Sequence, residues 1–98
     1  MNIDREYIVV LYEIYKNLLN EREKNYFEYY FYEDYSLNEI AELYKVSKAY
    51  SSKYLNKVIS KLMKYEKLLN INEKNNNIRE LLNKIKNEEI KNKIEELL

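Results

Sequence analysis

The stretch Ser36-Leu37-Asn38-Glu39-Ile40-Ala41-Glu42-Leu43-Tyr44-Lys45-Val46-Ser47-Lys48 decides the fold. Ser36 and Glu39 have the spacing of a capping box: the serine side chain accepts from a free helix-start N–H while the glutamate reaches back to the cap. A short helix therefore runs over 37–44. Lys45-Val46 is a joint of two residues, and Ser47 is the N-cap of the helix that follows. Small Ala41 lets the two helices approach closely, and Ile40, Leu43 and Val46 fill the angle between them. This is the layout of a helix-turn-helix, whose second helix presents its N-terminal residues to a major groove.

Outward from this motif the chain reads as helix throughout. Two more capping boxes, Asn20-Glu21-Arg22-Glu23 and Asn77-Ile78-Arg79-Glu80, mark helix starts. The first helix spans about 4–19, with Ile3, Tyr7, Leu11, Ile14 and Leu18 at three- and four-residue steps, and the second spans 21–34. The longest runs from Lys48 to Leu69 with a seam of Leu55, Val58, Leu62, Tyr65 and Leu69. The Asn-rich run 70–77 reads as a loop, followed by two short helices meeting near Asn87. No period-2 strand pattern occurs. The expected fold is all-α, a single domain of five or six helices in all: a winged-helix-like helix-turn-helix bundle over 1–70, with 71–98 as a helical C-terminal extension of the same domain.

Composition narrows the chemistry. A chain of 98 residues makes one small domain with little room for a large catalytic cleft. It has no Cys and no His, which removes the thiolate nucleophile, the commonest general base and the usual metal ligands. Zero Gly removes the phosphate-cradling loops of nucleotide hydrolases. Adjacent acids such as Glu33-Asp34, Glu88-Glu89 and Glu95-Glu96 diverge by about 100° on a helix and read as solvated surface. A non-enzyme with no cofactor and no metal is expected. No apolar run approaches the roughly 20 residues of a membrane span, and MNIDREYIVV lacks a signal-peptide layout, so a cytoplasmic location is expected.

Charge is balanced overall at 17 basic and 17 acidic residues but unevenly distributed. Residues 1–44 hold ten acids against four bases; residues 45–67 hold seven lysines against Glu66 alone; residues 68–98 hold six of each. On a helical wheel Lys53, Lys57, Lys61 and Lys64 fall within about 80° of one another, away from the apolar seam. Tyr50 and Tyr54 flank this stripe. Interleaved cations and aromatics can follow a phosphate backbone, so nucleic acid is the expected partner. Lys53, Lys57, Lys61 and Lys64 are expected to hold phosphates, and Ser47, Lys48, Tyr50 and Tyr54 to touch bases or sugars.

The runs Tyr12-Glu13-Ile14-Tyr15, Leu18 to Tyr26, Tyr29 to Glu42 and Val46-Ser47-Lys48 resemble the YlxM family, small bacterial helix-turn-helix proteins similar to region four of primary sigma factors. The resemblance covers about residues 7–70. It implies a cytoplasmic regulatory or accessory protein tied to the signal recognition particle pathway, with duplex DNA or signal recognition particle RNA as ligand. The alternative it leaves open is a protein-binding module that docks on the particle's GTPase without touching nucleic acid. Family members usually have Gly at the turn where this chain has Lys45, so the lysine must either take positive φ at some cost or reshape the turn. They usually follow the cap with Arg-Gln-Ala-Val where this chain has Lys48-Ala49-Tyr50-Ser51, which gives up a guanine-reading fork and sets a hydroxyl on the core seam.

Tyrosine supplies much of the core: the chain has 12 Tyr, two Phe and no Trp. Phe27, Tyr30 and Phe31 are expected to face inward, Tyr29 and Tyr32 outward. The stripes Ile78/Leu81/Leu82/Ile85 and Ile90/Ile94/Leu97/Leu98 either fold back on the first helix or meet a partner, which includes a second copy of the chain.

Overall fold

A computed structural model describes residues 4–98. Its order is α1 (Arg5–Tyr15), a 3₁₀ turn (Lys16–Leu18), α2 (Glu21–Phe31), α3 (Leu37–Tyr44), α4 (Lys48–Leu69), α5 (Ile71–Leu82) and α6 (Glu88–Glu95), with no strand among the described residues. The 22-residue α4 is about 33 Å long and is the spine on which α1, α2 and α3 pack. The fold is all-α, as its sequence predicts.

Two of the three capping boxes form with both bonds in place, at Asn20/Glu23 and Ser36/Glu39. Between α3 and α4, Lys45 takes left-handed geometry at φ 57°, and the Val46 N–H donates to the Ala41 carbonyl at 2.9 Å. A lysine at this φ gives up some stability relative to glycine, and the paired turn hydrogen bonds hold it there. Ile40 and Ala41 are buried and Val46 half-buried at the angle, but Leu43 stays exposed on the outside of α3.

The core joins Ile8, Leu11, Tyr12, Tyr15 and Leu19 of the α1 region to Phe27 of α2 and to Leu55, Val58, Ile59 and Leu62 of α4. Burying each large aliphatic chain contributes roughly 1.5–3 kcal/mol. Of the expected α1 stripe, Leu11 is buried and Ile14 packs half-buried against the core, while Tyr7 and Leu18 are exposed and Ile3 lies outside the described residues. α1 is apolar on two sides, and the buried side is Ile8, Leu11, Tyr12 and Tyr15, themselves at helical spacing. Leu69, the last residue of the expected α4 seam, is likewise exposed where α4 ends.

Among the aromatics, Phe27 is buried, while Tyr30 and Phe31 are half-buried. Tyr32 is exposed and donates to Glu13; burial and the neighbouring carboxylates push its hydroxyl up to about 12. Tyr29 is half-buried against Tyr35 at 5.0 Å.

The Asn-rich run 70–77 is not a loop. Asn70 alone, left-handed at φ 57°, separates α4 from α5, and Asn77 lies inside α5 rather than capping a helix. The cap comes from an earlier residue: the buried Glu66 carboxylate accepts from the Asn72 and Glu73 backbone N–H groups and from the Tyr15 hydroxyl at 2.6 Å. Tyr15 in turn accepts from the Ile71 N–H at 3.2 Å. This knot ties α5 to both α1 and α4. The second expected helix stops at Phe31, with Asp34 left-handed beyond it, and the first stops at Tyr15. Asn87 caps α6 as expected.

Ser51 is fully buried on α4 and its hydroxyl has no hydrogen-bond partner. An unmet buried hydroxyl costs stability, and alanine is the better helix former. Ser51→Ala should therefore raise unfolding stability by about 1 kcal/mol, read as a higher urea midpoint at unchanged slope.

Candidate nucleic-acid interface

The first turn of every other α-helix carries an acid: Glu6 in α1, Glu21 and Glu23 in α2, Glu39 in α3, Glu73 in α5, Glu88 and Glu89 in α6. The first turn of α4 carries none and opens on exposed Lys48. A cation at the positive end of a helix dipole is unfavourable unless an anion joins it. Ser47 caps this end by accepting from the Tyr50 N–H at 3.0 Å.

One turn on, Tyr50, Lys53, Tyr54 and Lys57 line an open groove of about 400 Å³. Tyr50 and Tyr54 lie near-parallel with centroids 6.1 Å apart, and the Lys57 ammonium sits 5.5 Å from the Tyr54 ring. Tyr54 leans on buried Tyr26 of α2 at 4.3 Å, and Tyr26 stacks on Tyr44 of α3 at 4.6 Å. The groove floor is therefore fixed by the bundle. Burial pushes the Tyr54 hydroxyl up, so it remains a neutral donor at physiological pH.

Sequence reasoning missed Arg22 on α2. Its guanidinium lies 5.2 to 5.9 Å from the rings of Tyr44, Tyr54 and Tyr26, beside the lysine groove. The signal was present: Arg22 stands four residues before Tyr26, the spacing that sets two side chains on one helix face.

The lysines divide. Lys53, Lys57 and Lys64 are exposed and without a carboxylate partner among the described residues. Lys61 instead contacts the Glu23 carboxylate at 2.6 Å, with Glu23 1% exposed. This pair joins α2 to α4 and leaves Lys61 the stripe member least free for a phosphate. Burial pushes the Glu23 carboxyl up, but the Lys61 ammonium and the Asn20 N–H outweigh it and hold the group below the usual carboxylate range. A lowered folded value means this stabilisation is complete above the unfolded carboxylate range and is lost as pH falls through the folded value. Glu23→Gln should accordingly flatten the loss of stability below about pH 4.5, measured by urea unfolding across pH. A slope equal to that of the parent would contradict the assignment.

Comparison with known proteins agrees with this architecture. Residues 3–98 match the family described as "Putative helix-turn-helix protein, YlxM / p13 like", a description that is not of an enzyme family. The chain is 41% identical over 93 residues to a UPF0122 protein of Ureaplasma urealyticum, covering 95% of this chain and 94% of the relative. It is 39% identical over 83 residues to a UPF0122 protein of Mycoplasma capricolum, covering 85% and 74%. A UPF0122 protein of Geobacillus kaustophilus is 34% identical over 76 residues, covering 78% and 69%. With its helix-turn-helix at α3–α4, its all-helical bundle and a match over nearly its whole length, the chain belongs to the YlxM/p13-like helix-turn-helix family, UPF0122.

Proposed function

We propose that this protein is a nucleic-acid-binding regulatory or accessory protein, acting in the signal recognition particle pathway as the family resemblance implies. The observation that carries the reading is the exposed face at the start of α4. It combines an acid-free, serine-capped helix end with Lys48, Lys53 and Lys57 and two half-open tyrosine rings. Lys53, Lys57 and Lys64 neutralise phosphates, with Lys61 held back by Glu23. Ser47, Lys48, Tyr50 and Tyr54 meet sugars or bases, and Arg22 adds a cation on the α2 side.

Nothing in this face selects a duplex sequence. Lys48 offers a point charge rather than a bidentate fork, and tyrosine rings stack on any base. Helix-turn-helix docking places the α4 start in a duplex groove, whereas stacking on Tyr50 and Tyr54 favours unpaired bases.

Anisotropy titrations of signal recognition particle RNA and of mixed-sequence duplex DNA at two salt concentrations test the proposal. Three free lysines predict a log–log salt slope of about −2.7 on duplex and about −2.1 on single-stranded segments. Absence of binding to either ligand at low salt would overturn the reading. It would favour docking on a basic protein partner such as the particle's GTPase, through residues 1–44 with their excess of six acids.

A further inference from the structure

The α5–α6 arm leaves the bundle incompletely covered. α5 rests on α1 at its base, α6 packs chiefly on α5, and no residue of α6 is buried. The molecule measures 55 × 24 × 24 Å, and its radius of gyration of 17.0 Å exceeds the roughly 13 Å of a compact chain this long. On the arm, Leu81 is 60% exposed, Leu97 85% and Ile90 50%. The α1 region carries the complementary feature: Tyr7 and Val10 of α1 and Leu18 of the 3₁₀ turn that follows it stay exposed outside the core face. These six residues leave on the order of 600 Å² of apolar-residue surface uncovered per copy, close to the roughly 800 Å² each partner contributes to a standard-size interface.

We propose that two copies of this chain pair about a twofold axis, each laying its α5–α6 arm along the outer α1 stripe of the other. A second copy fits better than an unrelated partner because one chain carries both surfaces. The charges match as well. Exposed Glu6 borders the α1 stripe and half-buried Lys91 borders the α6 stripe, and neither has an ion-pair partner among the described residues. Residues 68–98 carry six acids and six bases, so two arms do not repel each other. An isologous contact buries both stripes of both copies at once and closes, which stops further growth.

Sedimentation equilibrium of the full-length chain, from micromolar to hundreds of micromolar, tests this without any nucleic acid. The expected mass rises with concentration to twice 12.1 kDa. Leu81→Glu/Leu97→Glu on the arm and Val10→Glu/Leu18→Glu on the α1 region should each return the protein to the monomer mass, with circular dichroism showing retained helix. Should a glutamate pair unfold the chain, the glutamine pair at the same positions gives the same reading. A parent that stays at 12.1 kDa throughout overturns the proposal. So does an α1 variant that keeps the dimer, since the arms would then be pairing with each other.

Discussion

Reversing the charge at two lysines, Lys53→Glu together with Lys57→Glu, should weaken nucleic-acid binding about 100-fold at physiological salt while the helical content stays unchanged. Each phosphate contact contributes a factor that scales as salt to about the power −0.9, which near 0.1 M is roughly eightfold. Two lost contacts therefore account for about 60-fold, and two carboxylates facing a polyanion add repulsion. The fold should tolerate the change. Both side chains are exposed, neither has a carboxylate partner among the described residues, and only the contact of Lys57 with the Tyr54 ring is lost. Such an exposed contact is worth about 0.5–1 kcal/mol. Lys84→Glu/Lys86→Glu, equal in charge but on the segment between α5 and α6, should leave affinity within about twofold; equal losses from both pairs would mean that only net charge matters.

Phe27→Ala should destabilise the bundle by about 3–5 kcal/mol, a large share of the 5–15 kcal/mol that holds a domain of this size. Phe27 is fully buried, stacks on Tyr12 at 4.1 Å and on Phe31 at 4.4 Å, and meets the edge of Tyr32. Tyr12 is its partner across the α1–α2 contact, and Phe31 and Tyr32 close over it from the end of α2. Its loss frees α2, which carries Arg22 and Tyr26, the supports of the Tyr54 ring. Urea unfolding gives the stability change directly, and a loss below about 1 kcal/mol would contradict this account of the core. Phe27→Leu keeps most of the volume and should cost less than half as much.

The sequence made the helix-turn-helix legible because its signals are local. A capping serine, a small residue at the crossing, an apolar turn residue and a second cap lie within 13 positions, and local bonds then form where local residues call for them. The start of α4 was legible for the same reason. Four features were not, and each depends on a tertiary contact. The helix over 71–77 is capped by Glu66, which is placed by Tyr15 across the bundle, so no residue beside the Asn run announces it. The buried side of α1 was legible only in part: Leu11 and Ile14 reach the core, but packing against α4 brings in Ile8, Tyr12 and Tyr15 and leaves Tyr7 and Leu18 exposed. Lys61 looks like its stripe neighbours on a wheel, yet a carboxylate 38 positions earlier engages it. Arg22 joins the site in the same way, from another helix.

The most direct measurement is a map of backbone amide shifts in the ¹⁵N-labelled protein as signal recognition particle RNA, or duplex DNA, is added. The central claim is that the open end of α4 is the contact surface. It predicts shifts concentrated at Ser47 to Lys57 and at Arg22, with the acidic faces of α2 and α3 and the α6 helix unmoved. Shifts centred on residues 78–98 or on Glu28 to Glu42, with the start of α4 silent, would contradict it.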